Sequence, residues 1–265
     1  KGILSFEISG KPNGTDLIHF SSGDRLNVVP DYAECTLRVD LQKEFADHLS
    51  FNGLKGEIIG DKYVVYGKRA HAMQPNLGIN AAFILAEFLS KHIDNDFIKY
   101  ITEYLTFDHL GEKLNIDHYD DEMKEFTMNP AIFVYDRQEF RIGINCRYPN
   151  GWDKDSAKIN LEASVKKYHF KLKILSDSPV HYVSKDDDLV KTLHEAYIKY
   201  TGDTESELIT IGGGTYSRSL KKAVAFGPNM PGRKDTAHQI DEYIFIDDLL
   251  KATAIYMESI YQLTK

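Results

Sequence analysis

Up to about residue 178, short apolar segments bounded by turns recur, some with apolar residues at every second position, and these read as half-buried strands of a sheet. Cys35, Leu37 and Val39 alternate with polar neighbours over 33–40, and Phe170, Leu172 and Ile174 do so over 170–175. Segments 2–9 and 17–22 read as strands joined by the turn Gly10-Lys11-Pro12-Asn13-Gly14. Two hairpins are expected, one joining 57–60 to 62–67 around Gly60-Asp61 and one joining 131–136 to 139–148 around Arg137-Gln138. Helices are expected over 79–92, with apolar positions at 82, 85, 86 and 89, and over 97–105 and 155–169. Segment 113–129 is polar and poorly periodic. An antiparallel sheet with helices on one face, an α+β unit, fits this order. Two similar antiparallel-sheet halves fit it as well, although no sequence repeat marks them.

The pattern changes after Ser176-Asp177-Ser178-Pro179. A helix over 187–200 opens on Asp186-Asp187-Asp188, where acidic residues suit the helix dipole, and stops at Thr201-Gly202. Segment 208–211 reads as a buried strand running into Gly212-Gly213-Gly214, segment 223–226 as another short strand, and 247–263 as a closing helix. Helix, strand, glycine turn, strand and helix make an α/β pattern, read here as the end of a doubly wound domain. Residues 179–265 number roughly 87, fewer than the ~100–150 usual for such a domain.

Composition bounds the partners. The chain is 42% apolar and 12% aromatic, enough for a core and unlike disorder. A net charge of −8 argues against nucleic acid. No apolar run approaches the ~20 residues that would cross a bilayer, so no membrane partner is expected. Cys35 and Cys146 both fall in strand-like stretches, and buried thiols in a reducing compartment are the simplest reading, which points to the cytoplasm.

Motif chemistry by itself is sparse. Gly212-Gly213-Gly214-Thr215-Tyr216 could bring backbone N–H groups to a ligand, but Ser217 breaks a dinucleotide fingerprint and no phosphate-loop lysine follows. Neither Gly-x-Ser-x-Gly nor His-Glu-x-x-His occurs. His118-Tyr119-Asp120 has the form of a metal pair but sits in the acidic stretch 117–122, where a solvated loop is the better reading. His71, near Lys68 and Arg69, could face an anionic transition state or simply be a surface histidine. His238 lies in Asp235-Thr236-Ala237-His238-Gln239 before the last helix, and one histidine alone does not specify a metal. His194 shares a helical stripe with Val190 and Ile198 and reads as a core or boundary residue. Arg147 ends a strand, where it could clamp a carboxylate bidentately or make a surface ion pair.

Several segments resemble, in order, the peptidase V-type dipeptidases of the aminoacylase and carboxypeptidase G group of co-catalytic zinc enzymes. They are Asn27-Val28-Val29-Pro30-Asp31; Gly67-Lys68-Arg69-Ala70-His71 with Pro75, Gly78, Asn80 and Ala81; and Asn145-Cys146-Arg147-Tyr148-Pro149. Further on come Ile211 to Tyr216, Val224-Ala225-Phe226-Gly227, Pro231-Gly232, Asp235 to Gln239, and the helix from Ile246 to Thr253. Each segment alone is weak, and their order along nearly the whole chain carries the resemblance. It implies an α+β lid over 1–178 and the C-terminal part of an α/β zinc-exopeptidase catalytic domain over 179–265. It also implies that His238 ligates one metal of a pair, that His71 reaches from the lid to the oxyanion, and that Asn27 faces the substrate. Arg147 would hold the C-terminal carboxylate of a dipeptide, and Gly212 would offer backbone contact. Two zinc ions are implied, with manganese the alternative.

The departures limit this. The family's His-x-Asp pair on a buried strand, its bridging Asp and its Glu-Glu pair have no suitable counterpart, since no Glu-Glu dipeptide occurs. Ala72 and Ala237 also stand where other residues are usual. The resemblance therefore implies a partner, an N-terminal metal-binding half, without which this chain is expected to be inactive. An enlarged lid in one chain further implies a monomeric parent. Two alternatives stand beside this: a lid-derived, non-catalytic binding or assembly protein, and a stand-alone hydrolase using other residues. Dipeptide, β-alanyl dipeptide and N-acyl amino acid all end in a carboxylate, so substrate choice is left open.

Overall fold

Each of the eight segments expected as strands becomes a strand in a computed structural model that describes residues 1–234, 236 and 241–265. Two compact units form: Lys1–Val180 together with Ile211–Gly213, and His181–Thr210 together with Gly214–Lys265.

The first unit contains β1 (Gly2–Gly10), β2 (Leu17–Ser22), β3 (Tyr32–Leu37), α1 (Gln42–Asn52), β4 (Lys55–Ile59), β5 (Lys62–Tyr66), α2 (Ala81–Ser90) and α3 (Asp96–Tyr104). There follow a short ribbon, β6 (Tyr119–Asp120) with β7 (Lys124–Glu125), and then β8 (Thr127–Tyr135), β9 (Phe140–Tyr148), α4 (Lys154–Lys167) and β10 (Lys171–Ser178). Eight strands make one antiparallel sheet in the order β10-β1-β9-β8-β2-β3-β5-β4. The order reads alike outward from the β8–β2 seam. On one side β8 and β9 pair, α4 intervenes, and β10 lies outermost; on the other β2 and β3 pair, α1 intervenes, and β4 lies outermost. β1 holds the place on its side that β5 holds on the other. The sequence left one unit or two halves open, and the structure is one continuous sheet with this repeated order.

Alternation sends one apolar set to the core. Ile8, Ile142 and Phe133 stand abreast across β1, β9 and β8, and Phe20, Cys35 and Tyr63 across β2, β3 and β5. These belong to one cluster with Phe45 of α1, the Ala81–Leu89 stretch of α2, Phe97 of α3 and Leu161 of α4. The helices start where side chains satisfy their first N–H groups. Asn80 accepts from Ala82 N at 3.0 Å, Asn95 from Phe97 N at 3.1 Å, and Asp153 from Ser156 N at 3.1 Å.

Asn80 does more than cap. It is buried, and its Nδ2 donates to Pro130 O at 2.8 Å, tying the start of α2 to β8. Asn80→Ala removes the cap and leaves that carbonyl without this donor, so it should destabilise the first unit by about 2 kcal/mol. Urea unfolding checks this: the midpoint should fall with an unchanged denaturant slope.

The second unit contains α5 (Asp188–Thr201), capped by Asp187 and closed by Gly202 in the left-handed conformation, and α6 (Ile246–Thr264). Lys199 of α5 reaches Glu258 of α6 at 2.9 Å. Arg233 holds Asp248 through Nε at 2.7 Å and Nη2 at 3.1 Å, with its guanidinium 4.2 Å from the centre of the Phe245 ring. The strands expected over 208–211 and 223–226 do not form, and among its described residues this unit has no strand. An apolar run becomes a strand only with a ladder partner, and Ile209 is 82% exposed here. Ala252, Ile255 and Ser259 are buried on one side of α6, while Ile246, Leu249, Leu250, Met257, Ile260 and Tyr261 are exposed on the other. No helix among the described residues is long and apolar enough to cross a membrane.

Candidate substrate-binding site

Four of the five residues singled out in the sequence lie in one connected patch of the first unit. Asn27 and His71 are neighbours because the segments carrying them run antiparallel: Val28 bridges to His71, Ala72 N donates to Asn27 O at 2.9 Å, and Val29 N donates to Ala70 O at 2.9 Å. Both side chains are exposed, whereas Val29 and Ala72 beneath them are buried. The close crossing explains the small residues here. A Cβ at Gly78 would come within 2.9 Å of both Lys68 O and a Val29 methyl. Arg69 is turned to a surface ion pair, its Nε 3.0 Å from Asp31 Oδ1.

His71 Nδ1 accepts from Met73 N at 3.1 Å. A neutral ring that accepts at Nδ1 carries its proton on Nε2, so that contact sets the tautomer and makes Nε2 a donor. Met73 continues the patch. A Cβ at Gly212 would lie 2.9 Å from Met73 Cβ, so glycine lets the 211–213 segment settle against this loop.

Arg147, near the end of β9, completes the patch from below. It is 5% exposed, donating from Nη1 to Gly212 O at 3.2 Å and from Nε to Asn145 Oδ1 at 3.0 Å. Asn145 Nδ2 donates in turn to Ser5 Oγ at 2.9 Å. Across the β8–β9 ladder from Asn145 lies Asn129, whose Nδ2 donates to Leu26 O at 3.2 Å and Val28 O at 3.1 Å. Asn129 thus grips the turn that presents Asn27. It falls in a segment the sequence left without a strand, because Pro130 and the polar run before it hide the start of β8. No local signal marks it, because Asn129 and Asn145 lie on the sheet face opposite the core, where polar residues are ordinary.

A patch of this kind, an exposed histidine and asparagine beside a fixed buried arginine, can receive a small anionic or strongly polar ligand. The two thiols supply it with no nucleophile. Burial pushes the thiols of Cys35 and Cys146 well up, so both stay protonated and inert. Metal donors are a separate matter. His238 lies outside the described residues, and among the described residues no three His, Cys, Asp or Glu side chains are grouped to hold a metal. His118 and Asp120 are not such a pair: His118 Nε2 is 3.1 Å from Asn150 O, and Asp120 Oδ1 accepts from Glu122 N and Met123 N in a turn. The described donors therefore do not make up a metal centre.

Residues 17–262 match the profile of Peptidase family M20/M25/M40. A Bacillus subtilis protein named "Putative dipeptidase YtjP" is 42% identical over 284 aligned residues, which take in all of this chain and 60% of that protein. A Staphylococcus epidermidis protein named "Putative dipeptidase" is 38% identical over 285, covering 99% of this chain and 60% of its own length. The chain thus spans about 60% of the length of these curated relatives. Among solved structures, the aminoacylhistidine dipeptidase of Vibrio alginolyticus aligns over 99% of this chain and 61% of its own, at a TM-score of 0.45 and 11% identity.

Proposed function

The chain belongs to peptidase family M20/M25/M40, and on that premise we propose that it supplies the lid and part of the catalytic domain of a metal-dependent dipeptidase of the peptidase V type. In this reading residues 1–178 are the lid and 179–265 a segment of the catalytic domain, acting with an N-terminal metal-binding half. The observation that carries it is the single patch formed by Asn27, His71, Gly212 and Arg147.

Each residue has a task suited to its chemistry. Arg147 holds the free carboxylate of the substrate, because a planar guanidinium matches a carboxylate with two parallel N–H donors. Holding that end fixes the distance from carboxylate to scissile bond and so selects dipeptides. His71 donates from Nε2 to the oxygen that gains charge as the amide carbon becomes tetrahedral. Asn27 holds the substrate beside it, and the backbone at Gly212 borders the cleft. His238 is the metal ligand this reading assigns, zinc being the expected ion and manganese the alternative. A cytoplasmic, monomeric parent completes the reading. The exposed apolar side of α6 supports an N-terminal half, since an apolar helix face suits burial against another layer of the same domain.

The test is hydrolysis of a panel of dipeptides by the full-length protein, by the same protein after chelation, and by residues 1–265 alone. Metal-dependent release of amino acids by the full-length protein only is the expected result. Hydrolysis that survives complete chelation, or that residues 1–265 perform unaided, would overturn the reading. His238→Ala with unchanged metal content would remove that ligand assignment.

A further inference from the structure

Three polar residues stand abreast in the middle of the sheet: Ser5 pairs with Asn145 across β1 and β9, and Asn145 with Asn129 across β9 and β8. Asn129 is 1% and Asn145 3% exposed. A buried carboxamide costs free energy unless it is hydrogen-bonded, so its partners reveal what it is kept for. Here they lead outward to the patch. Asn145 bonds Arg147 on one side and Ser5 on the other, and Asn129 bonds the two carbonyls that flank Asn27.

The partners also fix which way each amide faces. Arg147 Nε–H can only donate, so Asn145 must turn its oxygen to it; Leu26 O and Val28 O can only accept, so Asn129 must turn its NH₂ to them. The two asparagines therefore hold the patch by opposite ends of the same group.

We propose that Asn145 and Asn129 are positioning residues of the substrate site. Asn145 sets the plane of the Arg147 guanidinium. Asn129 sets the 26–28 turn and, through the Val28 bridge, the placing of Asn27 beside His71. Neither touches substrate. The proposal rests on the dipeptidase reading of this patch, and it sets the two positions apart: aspartate is tolerated at one and not at the other. At 145 an aspartate still accepts from Arg147 and can accept from the Ser5 hydroxyl. At 129 it turns an oxygen against two carbonyl oxygens.

The experiment uses the full-length protein with Asn145→Ala, Asn145→Asp, Asn129→Ala and Asn129→Asp. Misplacing a holding group by an ångström costs up to about 100-fold in rate, so Asn145→Ala should lower kcat/KM for a dipeptide by roughly 10–100-fold. Asn145→Asp should recover part of that loss, because it keeps the acceptor for Nε while its charge competes with the substrate carboxylate for the guanidinium. Asn129→Ala should cost a similar factor, and Asn129→Asp at least as much. On an Arg147→Ala background Asn145→Ala should add nothing, since its effect runs through Arg147, while Asn129→Ala should still add its own. A second readout needs no activity: amide exchange at Val29 and Ala72 should quicken in both Asn129 variants and stay as in the wild type in the Asn145 variants. Equal damage from Asn145→Asp and Asn145→Ala, additivity of Asn145→Ala with Arg147→Ala, or unaltered exchange in the Asn129 variants would each overturn the proposal. A full-length protein that cleaves no dipeptide fails the dipeptidase reading alone, and the exchange measurement then decides whether Asn129 positions the turn.

Discussion

Arg147→Ala in the full-length protein is expected to lower kcat/KM for a dipeptide by roughly 10²–10³-fold, the equivalent of about 3–4 kcal/mol at ~1.4 kcal/mol per factor of ten. The size follows from burial. Arg147 is 5% exposed and fixed by Asn145 Oδ1 and Gly212 O, so the carboxylate meets a donor already oriented and shielded from water. The charge of that carboxylate is the same before and during reaction, so most of the loss should fall on KM. Arg147→Lys should recover only part, because an ammonium brings the charge without the two-pronged geometry. The control is the C-terminal amide of the same dipeptide, which the wild type should handle poorly and the variant no worse. An equal fall on acid and amide would mean a damaged fold, and the assignment would be lost; thermal midpoints of both variants, measured alongside, separate the two cases.

How much of this was legible in the sequence depends on what kind of signal each feature leaves. The eight strands announce themselves because each has one apolar face and one that is not, as with Cys35 and Leu37 in β3. α1 leaves almost no trace, since only Phe45 and Leu49 of its residues are buried. The start of β8 is hidden for another reason: Asn129 faces the 26–28 turn instead of the helices, so its polarity reads as loop. Sheet order is illegible locally. Nothing near Gly2–Gly10 says that this strand inserts between β9 and β10, well over a hundred residues away. The runs at 208–211 and 223–226 suggest strands by hydrophobicity alone, and a ladder partner is what they lack among the described residues. The candidate site divides the same way. His71, Arg147 and Gly212 stand out as residue types in motifs, but their meeting runs through Val28, Met73 and Asn145, which carry no chemical signal of their own.

His71 should show the opposite kinetic signature to Arg147. Its proposed partner is an oxygen that carries full negative charge only in the transition state, so His71→Ala should lower kcat by roughly 10²–10³-fold and leave KM nearly unchanged. The geometry makes the donor specific. Met73 N occupies Nδ1 at 3.1 Å, so the proton that can meet the oxyanion sits on Nε2. His71→Gln, which can place an amide N–H at similar reach but has no ring to be held by Met73 N, should restore part of kcat. A change confined to KM would make His71 a binding residue; an unchanged kcat with an intact fold would remove it from the reaction. The comparison with Arg147 matters more than either variant alone. A patch that merely bound anions would show losses in KM at both positions, whereas a dipeptidase lid requires the split, with the carboxylate end read in KM and the reacting oxygen read in kcat.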